Sequence, residues 1–187
     1  MEKKLQEYQK FLESLIKSKE TSIFTNGGID HASVLMSVLF NYTQTKVRMY
    51  CRGLYPELTA RPRYLDSFKK LLESDKIAIQ LLVDDYDNID KPAFKALIDA
   101  WRERTNKNKN DKSIEFKCIQ DTDRKNICDE LSLDPCNFAV FDDNMFRVEI
   151  SPEEFKAFGS FNDTEISKKL INLFDTAFEN AQKILVN

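Results

Sequence analysis

Residues 77–83 have the sequence IAIQLLV, and Gln80 is their one polar side chain. A short apolar run of this kind is typical of a central strand covered by helices on both faces. A strand with one solvated face would instead alternate apolar and polar residues. The run therefore predicts an α/β domain built around a buried sheet. Asp84 and Asp85 follow directly, where the predicted strand ends.

The segments on either side of this run alternate between helix and strand patterns. Pro62 and Pro92 each begin a segment whose apolar residues recur every three or four positions, as in an amphipathic helix. Residues 47–51 (VRMYC) and 114–119 (IEFKCI) have the β-branched and aromatic content of strands. Strands that alternate with helices favour a parallel sheet with helices on both faces.

The N-terminal part of the chain predicts a further helix, strand and helix. Residues 2–19 have the spacing of an amphipathic helix, and residues 21–25 (TSIFT) predict a short strand. Asn26, Gly27 and Gly28 end that strand, because glycine supplies the backbone freedom of a strand-to-helix turn. We expect Asp30 to cap the helix that follows.

The C-terminal part departs from strict alternation. It predicts a short helix at 123–131 and strands at 138–141, 145–150 and 155–161. Asp143 and Asn144 suit a two-residue hairpin turn, and Asp163 is placed to cap a long final helix. The chain as a whole therefore predicts one domain, residues 1–187, with a mixed, largely parallel sheet of about six or seven strands.

The composition limits the partners. Lys and Arg number 28 against 31 Asp and Glu, for a net charge of −3. Proteins whose main work is to grip phosphate backbones are usually basic, so nucleic acid is disfavoured as the dominant partner, although a local patch would still allow it. The sequence has neither the apolar run of a membrane span nor the apolar core of a signal peptide, so we expect a cytoplasmic protein with no membrane partner.

The cysteines do not form a recognised metal pattern. Cys51, Cys118, Cys128 and Cys136 include no C-x-x-C pair, and we expect free thiols. A zinc site that uses three of them with His31 is the alternative, but its spacing matches no structural zinc pattern. We therefore expect no metal and no cofactor.

Several polar residues follow predicted strands, where ligands gather in open parallel sheets. Asn26, Arg52 and Asp84 are the ligand-binding candidates of this kind, and the alternative is that they cap helices and solvate loops. Asp84 also begins an acidic run. Counted from Asp85, however, an EF-hand loop fails because Asp90 and Ala96 occupy its glycine and glutamate positions. Asp90 more simply caps the helix at Pro92.

His31 is the one histidine of the chain. Near a helix N-terminus the dipole disfavours its charged form, and such a position favours an anionic group of a ligand. A lone histidine is nevertheless more often structural than catalytic. The basic stretch from Arg102 to Lys112 has no interleaved aromatic residue after Thr105, and is best interpreted as a solvated loop rather than a nucleic-acid contact.

Residues 47–149 resemble the phospholipase D-like superfamily, in particular small bacterial single-copy members. The resemblance lies in VRMYCRGLYPEL, YLDSFKKLLES, IAIQLLVDD and FAVFDDNMFRVE, and continues in TEISKKLINLFDTAFENA. Active members carry a histidine, any residue and a lysine, then four residues and an aspartate. Here Asp142 keeps the aspartate, while Pro135 stands at the histidine position and Asn137 at the lysine position.

The resemblance implies a degenerate site. The family's reaction proceeds through a phosphohistidine, for which Pro135 and Asn137 are unsuited. The residues Gly159 to Asn162 match the letters of the family's GSxN motif but lie too far downstream, so we expect a strand and its turn. We expect Asn137, Asp142, Arg147 and Glu149 at the site, with His31 and Arg52 less directly. Arg147 and Glu149 share a strand face, and a surface ion pair is the alternative interpretation of them.

Single-copy members often pair two domains to complete one site, so the resemblance implies a homodimer or a partner protein. The function predicted first is a non-catalytic binding or interaction module, of the kind found in bacterial defence and mobile-element operons. The alternative is a phosphodiesterase or nuclease with a rearranged site at His31, or with a metal at Asp84 and Asp85. A third hypothesis is a subunit of a larger assembly, recognised through the first helix.

Overall fold

The structure is a computed structural model that describes residues 2–186. Its elements in chain order are α1 (Glu2–Ser18), β1 (Ile23–Asn26), α2 (Ile29–Tyr42), β2 (Lys46–Cys51), α3 (Pro56–Thr59), α4 (Pro62–Leu72), β3 (Ala78–Val83), α5 (Pro92–Lys107), β4 (Ile114–Cys118), α6 (Asp121–Leu131), β5 (Asn137–Phe141), β6 (Met145–Ser151), β7 (Lys156–Ser160), α7 (Thr164–Asn180) and β8 (Gln182–Lys183). The predicted α/β class is confirmed.

The sheet corrects the predicted strand number and direction. Within residues 2–186 it has eight strands in the order β1-β7-β6-β5-β2-β3-β4-β8. Only the β2–β3 and β3–β4 pairings are parallel, and the other five are antiparallel. The prediction of a largely parallel sheet is wrong because β5, β6 and β7 are joined by short hairpins, which permit only antiparallel pairing. The short strands β1 and β8 add to the two ends.

The strand directions create one edge that matters for function. Strands β1, β2, β3, β4 and β6 all run the same way, so their carboxyl ends meet at what we call the carboxyl edge. The pairings place Asn26, Ala157, Glu149 and Asn137 side by side in one row there, and Cys51 continues that row on β2. Cross-strand neighbours point to the same face, so this row presents its side chains together.

Helices cover both faces, as predicted. The larger core lies between one face and helices α1, α2, α4 and α5, with Leu35, Phe68 and Leu97 fully buried. The smaller core lies under α6 and α7, with Ile127 and Phe174 at its centre. The run in β3 serves both: Leu81 enters the first core and Leu82 the second. This two-sided burial explains why the run is apolar throughout.

The structure confirms one predicted helix cap and corrects two. Asp163 caps α7 and accepts a hydrogen bond from the backbone N–H of Ile166 at 2.9 Å. Gly28, not Asp30, is the N-cap of α2, and Asp30 instead pairs with Arg61. Lys91, not Asp90, is the N-cap of α5, since Pro92 occupies the first turn. Neither of these two caps uses a side-chain hydrogen bond.

The β5–β6 hairpin also differs from its prediction. Phe141 pairs with Met145, which leaves residues 142–144 as a three-residue loop rather than a two-residue turn. Asp142 takes the left-handed conformation at φ 53° that such a loop needs. Among the described helices, none is long and apolar enough to traverse a lipid bilayer.

Candidate ligand-binding site

A cavity of about 300 Å³ opens at the carboxyl edge, on the face covered by α2 and α4. Its walls come from β2 and the loop after it, from α3, from β5 and β6, and from the loop between β6 and β7. The residues that line it are Met36, Met49, Tyr50, Cys51, Arg52, Gly53, Leu54, Tyr55, Glu57, Leu58, Thr59, Tyr64, Asn137, Phe138, Ala139, Arg147, Glu149, Pro152, Glu153 and Phe155.

A buried polar cluster lies on the β5–β6 wall of the cavity. Arg147 and Glu149 are two residues apart on β6, so they share a face, and their Nη2 and Oε1 atoms lie 2.8 Å apart. Both side chains are only 7% exposed. The alternative interpretation as a surface ion pair is therefore wrong. Because both groups are buried, removal of either one would leave the other as an uncompensated buried charge.

Asn137 completes this cluster from the neighbouring strand. It lies opposite Glu149 and donates a hydrogen bond from Nδ2 to Glu149 Oε2 at 2.5 Å. Its Oδ1 accepts from the backbone N–H of Arg52 at 3.0 Å. The amide at the family's lysine position thus bridges β6 to the end of β2. Both of its polar atoms are engaged within the protein.

Arg147 retains hydrogen-bonding capacity that the described protein does not use. Its Nη2 donates to Glu149, but its Nε is buried without a partner between residues 2 and 186. No bond from Nη1 is present within the same residues. A guanidinium has five N–H donors. The side chain lines the cavity, and its unpaired Nε is buried within the wall.

The remaining walls are mainly apolar, and their charged side chains are those of Arg52, Glu57 and Glu153. Met36, Met49, Leu54 and Leu58 supply aliphatic surface, and Tyr64 is buried beside Met49. Burial raises the pKa of the Tyr64 hydroxyl and, separately, that of the Cys51 thiol. Cys51 therefore stays a thiol at neutral pH and offers no nucleophilic thiolate to the cavity.

Asp142 does not belong to this site, which corrects the expectation. It follows the opposite end of β5, next to the start of β2, and Asn137 is roughly 17 Å away along the strand. Its carboxylate accepts backbone N–H groups from Gln44 at 3.0 Å, Thr45 at 2.7 Å and Lys46 at 3.1 Å. The motif aspartate thus ties the β5–β6 loop to the start of β2.

His31 is also outside the cavity. Its Nδ1 lies 3.0 Å from the carbonyl oxygen of Gly27, and its ring stands edge-on to Tyr8 at 4.8 Å. Both contacts are those of a histidine that orders its own helix start. Pro135, at the family's histidine position, does not line the cavity either.

The other candidates lie at the carboxyl edge with structural contacts. Asp84 accepts a hydrogen bond from the hydroxyl of Tyr50 at 2.8 Å, and burial raises the pKa of this carboxyl. Asn26 donates from Nδ2 to the carbonyl of Phe155 at 2.6 Å, and thereby holds the loop that lines the cavity. Within residues 2–186, no group of three His, Cys, Asp or Glu side chains is placed to hold a metal.

Sequence reasoning missed α3 and the loop between β6 and β7. Helix α3 carries Glu57, Leu58 and Thr59 into the cavity wall. Pro56 followed by Glu57 is a weak helix-start signal that could have indicated it. Phe155, by contrast, lines the cavity in a left-handed conformation at φ 55°, and no local pattern announces this.

Comparisons with known proteins identify the fold. No family model and no curated protein matches the chain. Among solved structures, Nuc from Salmonella typhimurium, a phospholipase D family member, is similar at a TM-score of 0.61 and 9% identity, over 89% of this chain and 100% of that one. The archaeal chromatin protein TrmBL2, whose structure shows a novel mode of DNA binding, is similar at 0.56 and 14%.

The second match covers 98% of this chain but 63% of TrmBL2, so this chain spans less than two thirds of that protein. At these identities the likeness establishes the fold alone. The fold is therefore phospholipase D-like, and the resemblance carried by residues 47–149 is confirmed at that level.

Proposed function

We propose that this chain is a non-catalytic phospholipase D-like domain that binds a small molecule in the cavity at the carboxyl edge and acts as a binding or interaction module. One observation carries the proposal. Asn137, at the lysine position of the resembled motif, forms a buried cluster with Arg147 and Glu149. An open, mainly apolar cavity lies beside that cluster.

The chemistry of the lining supports binding rather than turnover. Among the lining residues, which lie between Met36 and Phe155 in the described chain, there is no histidine, lysine or serine. Thr59 donates its hydroxyl to backbone carbonyls, and burial raises the pKa of the Cys51 thiol. The hydroxyl of Thr59 and the thiol of Cys51 are therefore not activated nucleophiles, and the acidic groups of the lining are the carboxylates of Glu57, Glu149 and Glu153. Small apolar cavities with a few convergent polar groups are typical ligand sites.

The proposal is tested by thermal denaturation of the full chain against a panel of small molecules. A compound at ten times its Kd should add about 1.4 kcal/mol of stability, which raises Tm by about 3–6 °C. The matched controls are Ala139→Leu and Leu58→Trp, which fill the cavity from the sheet and from α3. We expect stabilisation of the wild type and none of either variant. Equal stabilisation of all three proteins would place the binding elsewhere and refute the proposal.

A catalytic role is tested separately. The wild type is incubated with bis(p-nitrophenyl) phosphate, without and with divalent ions, and we expect no turnover above buffer. Metal-independent hydrolysis that disappears in Asn137→Ala would overturn the non-catalytic assignment. For the rearranged site, the contacts of His31 and Asp84 favour structural roles, so we do not propose that alternative.

DNA is the second candidate ligand, because the structurally similar chromatin protein TrmBL2 binds DNA. The charge of this chain, −3, works against it. The predicted basic stretch is also partly engaged, since Arg104 donates to backbone carbonyls of Leu72 and Ser74 and Lys107 pairs with Glu103. A mobility-shift assay at low salt tests this candidate, and we expect no shift at micromolar protein.

The localisation, the domain organisation and the partners are proposed on further features of the chain. We propose a cytoplasmic protein of one domain, because the described strands join one sheet and the four cysteines are free. The resemblance adds a homodimer or partner protein. A role in a bacterial defence or mobile-element system is an extension of that resemblance, and a stable complex isolated with a product of such an operon would support it.

A further inference from the structure

We infer that the cavity takes a compact, uncharged molecule with a mostly apolar body and one hydrogen-bond acceptor, which Arg147 binds. The inference rests on the proposed function, since it specifies the ligand of the same cavity. It follows from three properties of the lining: its charge balance, its unused donor and its apolar walls.

The charge balance disfavours an anion. The charged groups of the lining are the guanidiniums of Arg52 and Arg147 and the carboxylates of Glu57, Glu149 and Glu153. The inner guanidinium is already neutralised, because Glu149 lies 2.8 Å from it with both side chains buried. A phosphate placed beside this pair would meet the buried carboxylate, and Arg52, the other guanidinium of the lining, is outnumbered by the carboxylates of Glu57 and Glu153. Desolvating such an anion would cost more than the site returns.

The buried side-chain atom of the cluster that lacks a partner among residues 2–186 is a donor, Nε of Arg147. Glu149 accepts from Arg147 and from Asn137, and Asn137 uses both its amide oxygen and its amide nitrogen. Arg147 is 6% exposed and has N–H groups without partners among residues 2–186. A buried donor without a partner costs free energy, which a ligand acceptor recovers. The ligand group at this wall is therefore a carbonyl, an ether or a ring nitrogen.

The apolar walls determine the size and shape of the ligand's apolar body. The side chains of Met36, Met49, Leu54 and Leu58 line the same cavity as the cluster. A volume of about 300 Å³ lies at the lower end of the range for small-molecule sites. Methionine side chains adapt to flat and irregular apolar groups. The cavity therefore suits a single-ring or branched aliphatic body rather than an extended chain.

Four probes test the inference: benzamide, benzoate, inorganic phosphate and toluene. The readout is the ¹³C-methyl spectrum of methionine in the full chain. Met36 and Met49 line the cavity, whereas Met145 lies on β6 outside it and serves as an internal control. We expect benzamide to shift the Met36 and Met49 signals in a saturable way and leave Met145 unchanged. Benzoate should bind at least tenfold more weakly, and phosphate should cause no shift.

The role of Arg147 is tested in the same spectrum. Arg147→Met should weaken benzamide binding at least fivefold and change toluene binding less than twofold. Because that variant leaves Glu149 without its partner and could fail to fold, Arg147→Met/Glu149→Leu is measured beside it with the same expectation. Equal losses for benzamide and toluene would overturn the assignment of Arg147 as the donor.

The outcomes separate this inference from the proposed function. Saturable binding of benzoate or phosphate at Met36 and Met49, as tight as that of benzamide, overturns the ligand class and leaves the cavity as a binding site. No response to benzamide also overturns the ligand class. The binding site itself is overturned only if the compound panel shows no stabilisation that depends on an unfilled cavity.

Discussion

At the scale of single residues, Asn137, Arg147 and Glu149 form one hydrogen-bonded structural unit. Asn137 joins Glu149 to the backbone of Arg52, and Glu149 joins Asn137 to Arg147. These neutral and paired groups line one wall of the cavity. Such a unit holds β5, β6 and the end of β2 in register at the cavity.

Because Arg147 and Glu149 form a buried ion pair, we expect the loss of one charge to destabilise the fold more than the loss of both. Arg147→Met leaves a buried carboxylate without its cation, which should cost about 3–5 kcal/mol of unfolding free energy. Arg147→Met/Glu149→Leu removes both charges and should lie closer to the wild type than the single variant. Urea denaturation at pH 7 measures all three proteins. A double variant less stable than Arg147→Met would contradict this account.

Removal of the Asp142 carboxylate should lower the stability of the fold without weakening ligand binding. Its carboxylate accepts three backbone N–H groups and the hydroxyl of Thr45, and hydrogen bonds to a charged acceptor contribute about 1.5–3 kcal/mol. Asp142→Ala should therefore lower the unfolding free energy by about that amount. Asp143→Ala, exposed on the same loop, should stay within about 0.5 kcal/mol. Benzamide binding should not change in either variant, because the cavity lies at the other end of β5.

Asp84 predicts a pH dependence. Burial raises the pKa of this carboxyl above its ordinary 3.8, so the folded chain keeps the proton to a higher pH than the unfolded chain. Its contribution to stability is fully present below 3.8 and is lost as the pH rises through the folded pKa. Asp84→Asn removes this loss while its amide oxygen can still accept from Tyr50.

The measurement is Tm between pH 3.5 and 7 for the wild type, Asp84→Asn and Asp87→Asn. We expect Asp84→Asn to gain stability relative to the wild type as the pH rises, by a few degrees at most. Asp87→Asn, exposed on the same loop, controls for the loss of one surface charge. A constant difference between Asp84→Asn and the wild type across this range would show that Asp84 does not act through its proton.

At the scale of elements, the close packing of the β6–β7 hairpin leaves no space for a side chain at Gly159. A Cβ at Gly159 would lie 2.1 Å from the carbonyl oxygen of Phe146 and 2.6 Å from the ring of Phe24. Gly159→Ala should therefore lower the unfolding free energy by about 3 kcal/mol or more, since the backbone atom cannot yield. Gly27→Ala is the matched control, because no atom lies within 4 Å of its Cβ.

Both glycine variants are compared by thermal denaturation and far-UV circular dichroism. Gly27→Ala should keep the wild-type Tm within a few degrees. A Gly159→Ala protein as stable as the wild type would show that β6 and β7 do not approach each other as closely as described. Gly159 and Ser160 match the first two letters of the GSxN motif but lie in β7. The glycine is needed there because the strands pack closely.

Element boundaries show where local patterns suffice. Pro62, Pro92 and Asp163 were enough to place three helix starts, because a fixed φ or a side-chain cap acts within one turn. The same proline rule, applied consistently, would have moved the α5 cap from Asp90 to Lys91. Gly28 caps α2 through its backbone at φ 83°, and no side-chain rule selects it over Asp30.

At the scale of the whole molecule, the resemblance predicts that two copies associate. Sedimentation velocity should give a species of twice the chain mass at micromolar concentration. Ile23 is 54% exposed on the edge strand β1 and supplies an apolar surface for such a contact. Ile23→Lys should then shift the species towards monomer. A wild-type monomer at all concentrations would contradict the homodimer and leave the binding site of one chain unaffected.

The sequence by itself determined the α/β class, the buried strand at 77–83 and most helix starts. Each of these depends on residue identity or on periodicity within one element. Only the tertiary structure decided the antiparallel majority of the sheet, the burial of Arg147 and Glu149, and the cavity itself.

It also decided the position of Asp142, whose hydrogen-bond partners lie 96 to 98 residues away in the chain. The physical reason is range. Backbone propensity and capping act over a few residues, whereas strand pairing and the desolvation of charges depend on segments that meet only when the chain folds.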